Sequence, residues 1–304
     1  MNADHQALVR AVETLNAIIA NQSTIIANQS MVIDALQTQL ANSRGVALVL
    51  GTIRTVDSAG ETGYTPSLAL TTAGFPVISY FDATNYDLKL AVCADATCSS
   101  STIRTVDSAG NTGRYTSLAL TTAGFPVISY FDATNRDLKL AVCADATCSS
   151  STIRTVDSAG DTGHYPSLAL TTADNPVISY HDKTNGDLKL AVCADATCSS
   201  STIRIVDSAG NTGAYTSLAL TTADNPVISY QDYTNATNRD LKLAVCADAT
   251  CSSSTIRTVD SAGDTGHYPS LALTTAGNPV ISYHDQTNYD LKLAVCADAF
   301  CFFL

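Results

Sequence analysis

Tryptophan is absent from this 304-residue chain, an unusual omission at such a length, while tyrosine is plentiful. Basic residues are scarce: 16 Lys and Arg stand against 28 Asp and Glu, for a formal net charge of −12. That balance argues against a nucleic-acid partner, whose phosphates are gripped by clustered Lys and Arg. No apolar run approaches the ~18–20 residues of a membrane-spanning helix. The opening "MNADHQALVRAVETLNAIIANQS" is acidic and then amphipathic, so it does not read as a signal peptide. Cysteine is missing everywhere except in one motif. "CADATC" holds Cys93 and Cys98, Cys143 and Cys148, Cys193 and Cys198, and Cys246 and Cys251; "CADAFC" holds Cys296 and Cys301. The apolar fraction, 45%, is ample for a buried core.

What is present is a repeat. "STIRTVDSAGNTGRYTSLALTTAGFPVISYFDATNRDLKLAVCADATCSS" begins at Ser101 and recurs with a 50-residue period, lengthened by three residues through "QDYTNATNRD" at Gln231–Asp240. Each unit holds four stretches rich in Val, Ile, Leu and Tyr, separated by Gly, Asn, Asp or Pro. These are strand A, "SLALTT" from Ser67; strand B, Pro76–Asp82; strand C, Asp87–Cys93; and strand D, Ser101–Asp107. Links of hairpin length make the unit an antiparallel meander, which is one propeller blade. The last copy has A, B and C but too little chain for D, and a spare D strand, "TIRTVD" at Thr52–Asp57, precedes the first copy. A spare strand at one end and a missing one at the other is what closing a circle requires, and pairing them hides two sheet edges. The expected fold is all-β: a five-bladed β-propeller over residues 46–304, closed by an N-terminal strand.

Through "PVISY.D.TN.DLKLA" the repeat, over residues 52–301, resembles the tandem β-propeller units of bacterial and environmental proteins. In blade number and length it is also similar to the five-bladed tachylectin-type lectins. That second likeness is one of architecture, with no lectin signature among the residues.

In this register the cysteine hexapeptide is the turn between strands C and D, where a four-residue loop brings two thiols within disulfide reach. Free buried thiols and a metal site are the alternatives, but one C-x4-C pair offers only two thiolates and serves tetrahedral zinc poorly. Five local disulfides imply an extracellular, virion or cell-surface location. The final "CFFL" formally fits a prenylation box. Its plainer reading makes Cys301 the second cysteine of the fifth hexapeptide, with Phe302, Phe303 and Leu304 covering the closing seam.

Residues 1–45 carry two near-perfect heptads, "IIANQST" and "IIANQSM". Val12, Ile19, Ile26, Ile33 and Leu40 take position a, with Leu8, Leu15, Gln22, Gln29 and Leu36 at d and Ile18, Ile25 and Val32 at g. An alternative register puts those last three at a, with Asn21 and Asn28 at d. Either stripe is wide and Ile-rich, which points to a coiled-coil stalk and a homotrimer. The competing reading is one amphipathic helix folded onto the propeller. Asn21, Asn28 and Asn235 sit in N-x-S/T sequences.

Differences between copies gather in the D-to-A loops ("GYTP", "GRYT", "GHYP", "GAYT", "GHYP") and the B-to-C loops, which share one face of a propeller. Variation on a fixed frame suits a recognition surface, and drift in idle loops is the alternative. Tyr115, Tyr165, Tyr215 and Tyr268 there offer rings for stacking on sugars. Asp82, Asp132, Asp182, Asp232 and Asp285, with Asn85, Asn135, Asn185 and Asn288, offer acceptors and donors for hydroxyls. The same Asp and Asn residues are also typical hairpin-turn caps. Calcium at Asp82, Asn85 and Asp87 lacks the EF-hand spacing. His164 with His181, and His267 with His284, suggest a divalent-metal alternative, but no metal or cofactor is expected. Nearly every candidate recurs from blade to blade, whereas enzyme sites combine unlike groups. The expectation is therefore not an enzyme. It is a surface adhesin or receptor-binding fibre that engages glycans multivalently, with a structural subunit of an appendage, filament or virion coat as the alternative.

Overall fold

The computed structural model describes residues 3–44, 53–235 and 239–302. Two compact units divide the chain at Ile53 and Arg54. The first contains α1 (Ala3–Arg44), one continuous helix. Its run without Pro or Gly allows this length, and Leu8, Val12, Leu15, Ile19, Ile26 and Ile33 are all exposed along it. The side chain of Leu40 lies outside the described residues.

The second unit is all-β. Its first sheet is β1 (Tyr64–Leu70), β2 (Pro76–Asp82), β3 (Asp87–Cys93) and β4 (Ser101–Asp107), antiparallel and in chain order. The pattern repeats with β5 (Arg114–Leu120), β6 (Pro126–Asp132), β7 (Asp137–Cys143) and β8 (Ser151–Asp157). It repeats again with β9 (His164–Leu170), β10 (Pro176–Asp182), β11 (Asp187–Cys193) and β12 (Ser201–Asp207). The fourth sheet is β13 (Ala214–Leu220), β14 (Pro226–Asp232), β15 (Asp240–Cys246) and β16 (Ser254–Asp260). The last has three strands: β17 (His267–Leu273), β18 (Pro279–Asp285) and β19 (Asp290–Val295). The first strands of successive sheets lie side by side, β1 against β5, β5 against β9, β9 against β13 and β13 against β17. These are the repeated blades of a β-propeller-like fold. Strands B, C and D fall where the sequence places them. Strand A begins three residues early, because a bulge at Thr65 and its counterparts carries the pairing past Ser67 to Tyr64.

Four blade-to-blade cores have the same make-up. Between the first two blades, Val77, Leu88, Leu90 and Val106 pack on Leu118, Ile128, Tyr130 and Ala141. Each fully buried Leu or Ile contributes about 1.5–3 kcal/mol. A buried polar cluster sits beside each core. Tyr130 donates to Asp107 at 2.6 Å, and Lys139 lies 2.9 Å from Asp132 and 3.5 Å from Asp107. Burial, together with Asp107 as acceptor, pushes the Tyr130 phenol far up, so it stays a donor. Gly113, at φ +88°, lets the loop lie against Leu88, whose Cα would be 2.6 Å from an added Cβ.

The expected closing strand is not formed. Thr52 lies outside the described residues, and the chain from Ile53 to Asp57 forms no strand, leaving β19 as a free edge. Arg54–Asp57 nevertheless occupies the D-strand position against the first blade: Tyr80 donates to Asp57 at 2.6 Å and Arg54 to the Thr97 carbonyl at 3.1 Å. Around it lies a cavity of about 200 Å³ bordered by Val56, Gly63, Ile78, Tyr80 and Ala91. An added Cβ on Gly63 would meet nothing within 4 Å, and Leu291, the counterpart of Leu88, is 84% exposed. The fifth core exists as two separated halves.

All ten cysteines form the five local disulfides, Cys93–Cys98, Cys143–Cys148, Cys193–Cys198, Cys246–Cys251 and Cys296–Cys301. They mark a protein of an oxidising, extracellular compartment. Phe302 lies under the Arg257 guanidinium at 4.2 Å, and Phe303 and Leu304 lie outside the described residues. No helix among the described residues is long and apolar enough to cross a membrane.

Candidate functional site

The bulge that lengthens strand A also builds the site. Tyr115, Tyr165, Tyr215 and Tyr268 take positive φ, between 49° and 55°. That left-handed step turns each ring out of the strand alternation and toward its neighbours. Successive ring centroids stand 4.5, 4.2 and 4.4 Å apart, forming a collar around a recess of about 240 Å³ shared with Thr116, Pro166, Thr216 and Pro269. The first blade has Thr65 at this position, so the collar has a notch. Burial pushes Tyr165 upward, reinforced by its bond to Tyr215. Tyr215 goes the other way. Burial alone would raise it, but hydrogen bonds from Tyr165, Tyr233 and Tyr268, with the charge of Arg239, hold it below the usual phenol value.

The carboxylates expected beside these rings are placed differently. Asp82, Asp132, Asp182, Asp232 and Asp285 are all buried. Asp82 accepts from the Thr84 and Asn85 amides at 2.9 and 3.2 Å, from Asn85 Nδ2 at 2.9 Å, and from Lys89 at 3.0 Å. Asn135, Asn185 and Asn288 donate in the same way to Asp132, Asp182 and Asp285. These groups lock the B-to-C loops. Burial disfavours the Asp82 anion, but bonds from Asn85 and Lys89 outweigh it and hold the group at about 2.

Sequence reasoning missed a set of unlike groups bordering the collar. His164 lies 2.6 Å from Asp161, with Arg136 4.0 Å from the same carboxylate. Two blades on, His267 lies 2.9 Å from Asp264, and Arg239 is 3.7 Å from Asp264 and 3.3 Å from His267. Arg239 also stacks on Tyr233 at 4.6 Å. The rings of His164 and His181 are 6.5 Å apart, and those of His267 and His284 6.0 Å. No cluster of three His, Cys, Asp or Glu among the described residues is placed to hold a metal. A signal was present: "TNRD" ends the B-to-C loop just ahead of each "AGDTGHY", at Arg136 and Arg239, and in none of the other three B-to-C loops.

No protein-family model and no curated protein matches this sequence. Solved structures share its fold. A Dyadobacter fermentans protein of unknown function is similar with a TM-score of 0.54 at 11% identity, over 75% of this chain and 74% of that one. So is a PL25 polysaccharide lyase, an ulvan lyase bound to a GlcA–Rha3S oligosaccharide, at 0.54 and 13%, over 79% and 68%. A Podospora anserina α-L-arabinofuranosidase in complex with cellotriose gives 0.48 and 11%, over 79% and 92%. At these identities the likeness is one of fold. The expectations of an adhesin, a fibre head or a purely structural subunit, and of no enzyme, are corrected here. Of the structures named above with a TM-score over 0.5, the one with a stated activity is a polysaccharide lyase, and the face does bring unlike groups together.

Proposed function

We propose that this face is the working surface of a carbohydrate-processing protein. The tyrosine collar holds a glycan, and the Asp161–His164 and Asp264–His267 pairs move protons at its linkages. The observation that carries this is their adjacency: His164 is 6.1 Å from Tyr165, and His267 is 6.2 Å from Tyr268, between ring centroids. Tyrosine faces stack on sugar rings while their hydroxyls hydrogen-bond. Histidine is the side chain most often used to transfer protons, and the carboxylate beside each of these two holds its ring in place. In this reading Asp132 and Asp232 shape the B-to-C loops that carry Arg136 and Arg239 beside the Asp–His pairs.

Closure of the ring belongs to the same reading. Leaving Leu68, Leu291 and Leu293 in water forgoes roughly 5 kcal/mol that the other four cores gain, and Arg54 and Asp57 make the bonds to the first blade that Arg104 and Asp107 make to the second, which supports closure. A homotrimer through residues 1–45 is part of it too, supported by the exposed Ile-rich stripe of α1. Release of reducing ends from a panel of polysaccharides tests the function. His267→Asn should lower turnover by about 10²-fold or more while glycan affinity stays. Failure of the protein to bind or cleave any polysaccharide refutes the reading.

A further inference from the structure

Between the first two blades the face departs from its repeats in charge. A cleft of about 340 Å³ is lined by Tyr64, Thr65, Phe81, Ala83, Arg114 and Tyr115. Tyr115 also belongs to the collar, so cleft and recess border the same ring. The Arg114 guanidinium lies over the Phe81 ring at 5.3 Å, and its Nε donates to Asn111 Oδ1 at 3.2 Å. In the corresponding loops of the third and fifth blades Asp161 and Asp264 replace Asn111, and each has an arginine beside it. Asn111 is neutral, and among the described residues no carboxylate pairs with Arg114.

We propose that this cleft binds the anionic group, carboxylate or sulfate, of a sugar whose neighbour stacks on the collar, which makes the substrate an acidic polysaccharide. The proposal rests on the carbohydrate reading above and names its substrate class. A guanidinium matches carboxylate and sulfate oxygens with parallel N–H donors. Stacking on Phe81 and the Asn111 bond fix the plane of Arg114, so its remaining edge is presented in one orientation. The chain's net charge of −12 does not cancel this. Charges farther off than ~8 Å are largely screened at physiological salt, whereas a bound anion would touch Arg114.

The test is calorimetric titration of the intact protein at physiological salt with three oligosaccharides of equal length, one carboxylated, one sulfated and one uncharged. One or both anionic ligands should bind at least ~10-fold tighter than the uncharged one, and the comparison between them identifies the source of the charge. Arg114→Gln should erase the preference and leave uncharged-glycan affinity unchanged, and Arg114→Lys should restore part of it. Equal affinities in the wild type, or a preference that survives Arg114→Gln, overturns the inference and leaves the collar reading standing. Absence of binding to all three overturns both. Should Arg114→Gln fail to fold, the wild-type preference and its loss at high salt decide the matter.

Discussion

Ring closure can be tested with two glycines that differ only in what faces them. Gly63 and Gly113 have nearly the same backbone, φ +85° and +88°. Alanine at either position carries a strain of about 1–2 kcal/mol. At Gly113 the new methyl also meets Leu88 backbone and Cβ at 2.6–2.9 Å, a contact that no rotamer change relieves. Overpacking of this kind adds about 1–3 kcal/mol. At Gly63 no such contact exists unless Leu291 docks there as Leu88 does at Gly113. With the ring closed in solution, Gly63→Ala and Gly113→Ala should cost the same, about 2–5 kcal/mol. Urea unfolding followed by tyrosine fluorescence gives both values. A Gly63→Ala variant milder by the full overpacking cost would show that the two halves of the fifth core stay apart, and would refute closure.

Two further outcomes follow from the blades themselves. Replacing Cys143 and Cys148 together by Ser removes one staple and should lower unfolding free energy by about 2 kcal/mol in the chain-entropy model for so short a loop; an unchanged urea midpoint would show that the local bridge contributes nothing. Burial holds His181 down to about 4, against an opposing bond to Asn211 Oδ1 at 3.2 Å. A histidine kept neutral in the fold binds fewer protons than the unfolded chain between about pH 6.5 and 4. Stability present above pH 6.5 should therefore fall across that window, by up to roughly 3 kcal/mol, and His181→Phe should flatten the fall; a wild-type profile without it contradicts the burial.

The blades were legible because each is built from local pairings. Short hairpins separated by Gly, Asn and Pro fix β2, β3 and β4 with nothing from elsewhere in the chain. The disulfides were legible for the same reason. Closure was not, since it depends on whether the four blade-to-blade rotations sum to four fifths of a turn and leave room for one equal closing step, and no single repeat encodes that angle. The positive-φ bulge at Tyr115 was hidden as well. A tyrosine gives no sign of a left-handed backbone as a glycine would, and the inserted step changes which way its ring points.

The expectation of no enzyme rested on the recurrence of every candidate from blade to blade, and that recurrence has a structural cause. Groups that recur in every blade, such as Asp82, Tyr80 and Lys89 with their counterparts, recur because every blade must make the same internal lock, Asp82 to Asn85 and Lys89, and the same bond to the blade before it, as Tyr130 does to Asp107. Their burial beside the blade cores follows from that duty. On the proposed reading the ligand is a glycan chain, which is directional from end to end and lacks fivefold symmetry, so unlike groups at successive blades suit it. Those can come only from positions where the repeat is free to vary. One such position reads Tyr64, Arg114, His164, Ala214 and His267, and three residues earlier stand Glu61, Asn111, Asp161, Asn211 and Asp264. In three of the five copies the two positions are bonded to each other, Arg114 to Asn111, His164 to Asp161 and His267 to Asp264, because the loop places residue i against residue i+3. In a chain of repeats, the bonded pair that changes from copy to copy is therefore a better guide to chemistry than the residue that never changes.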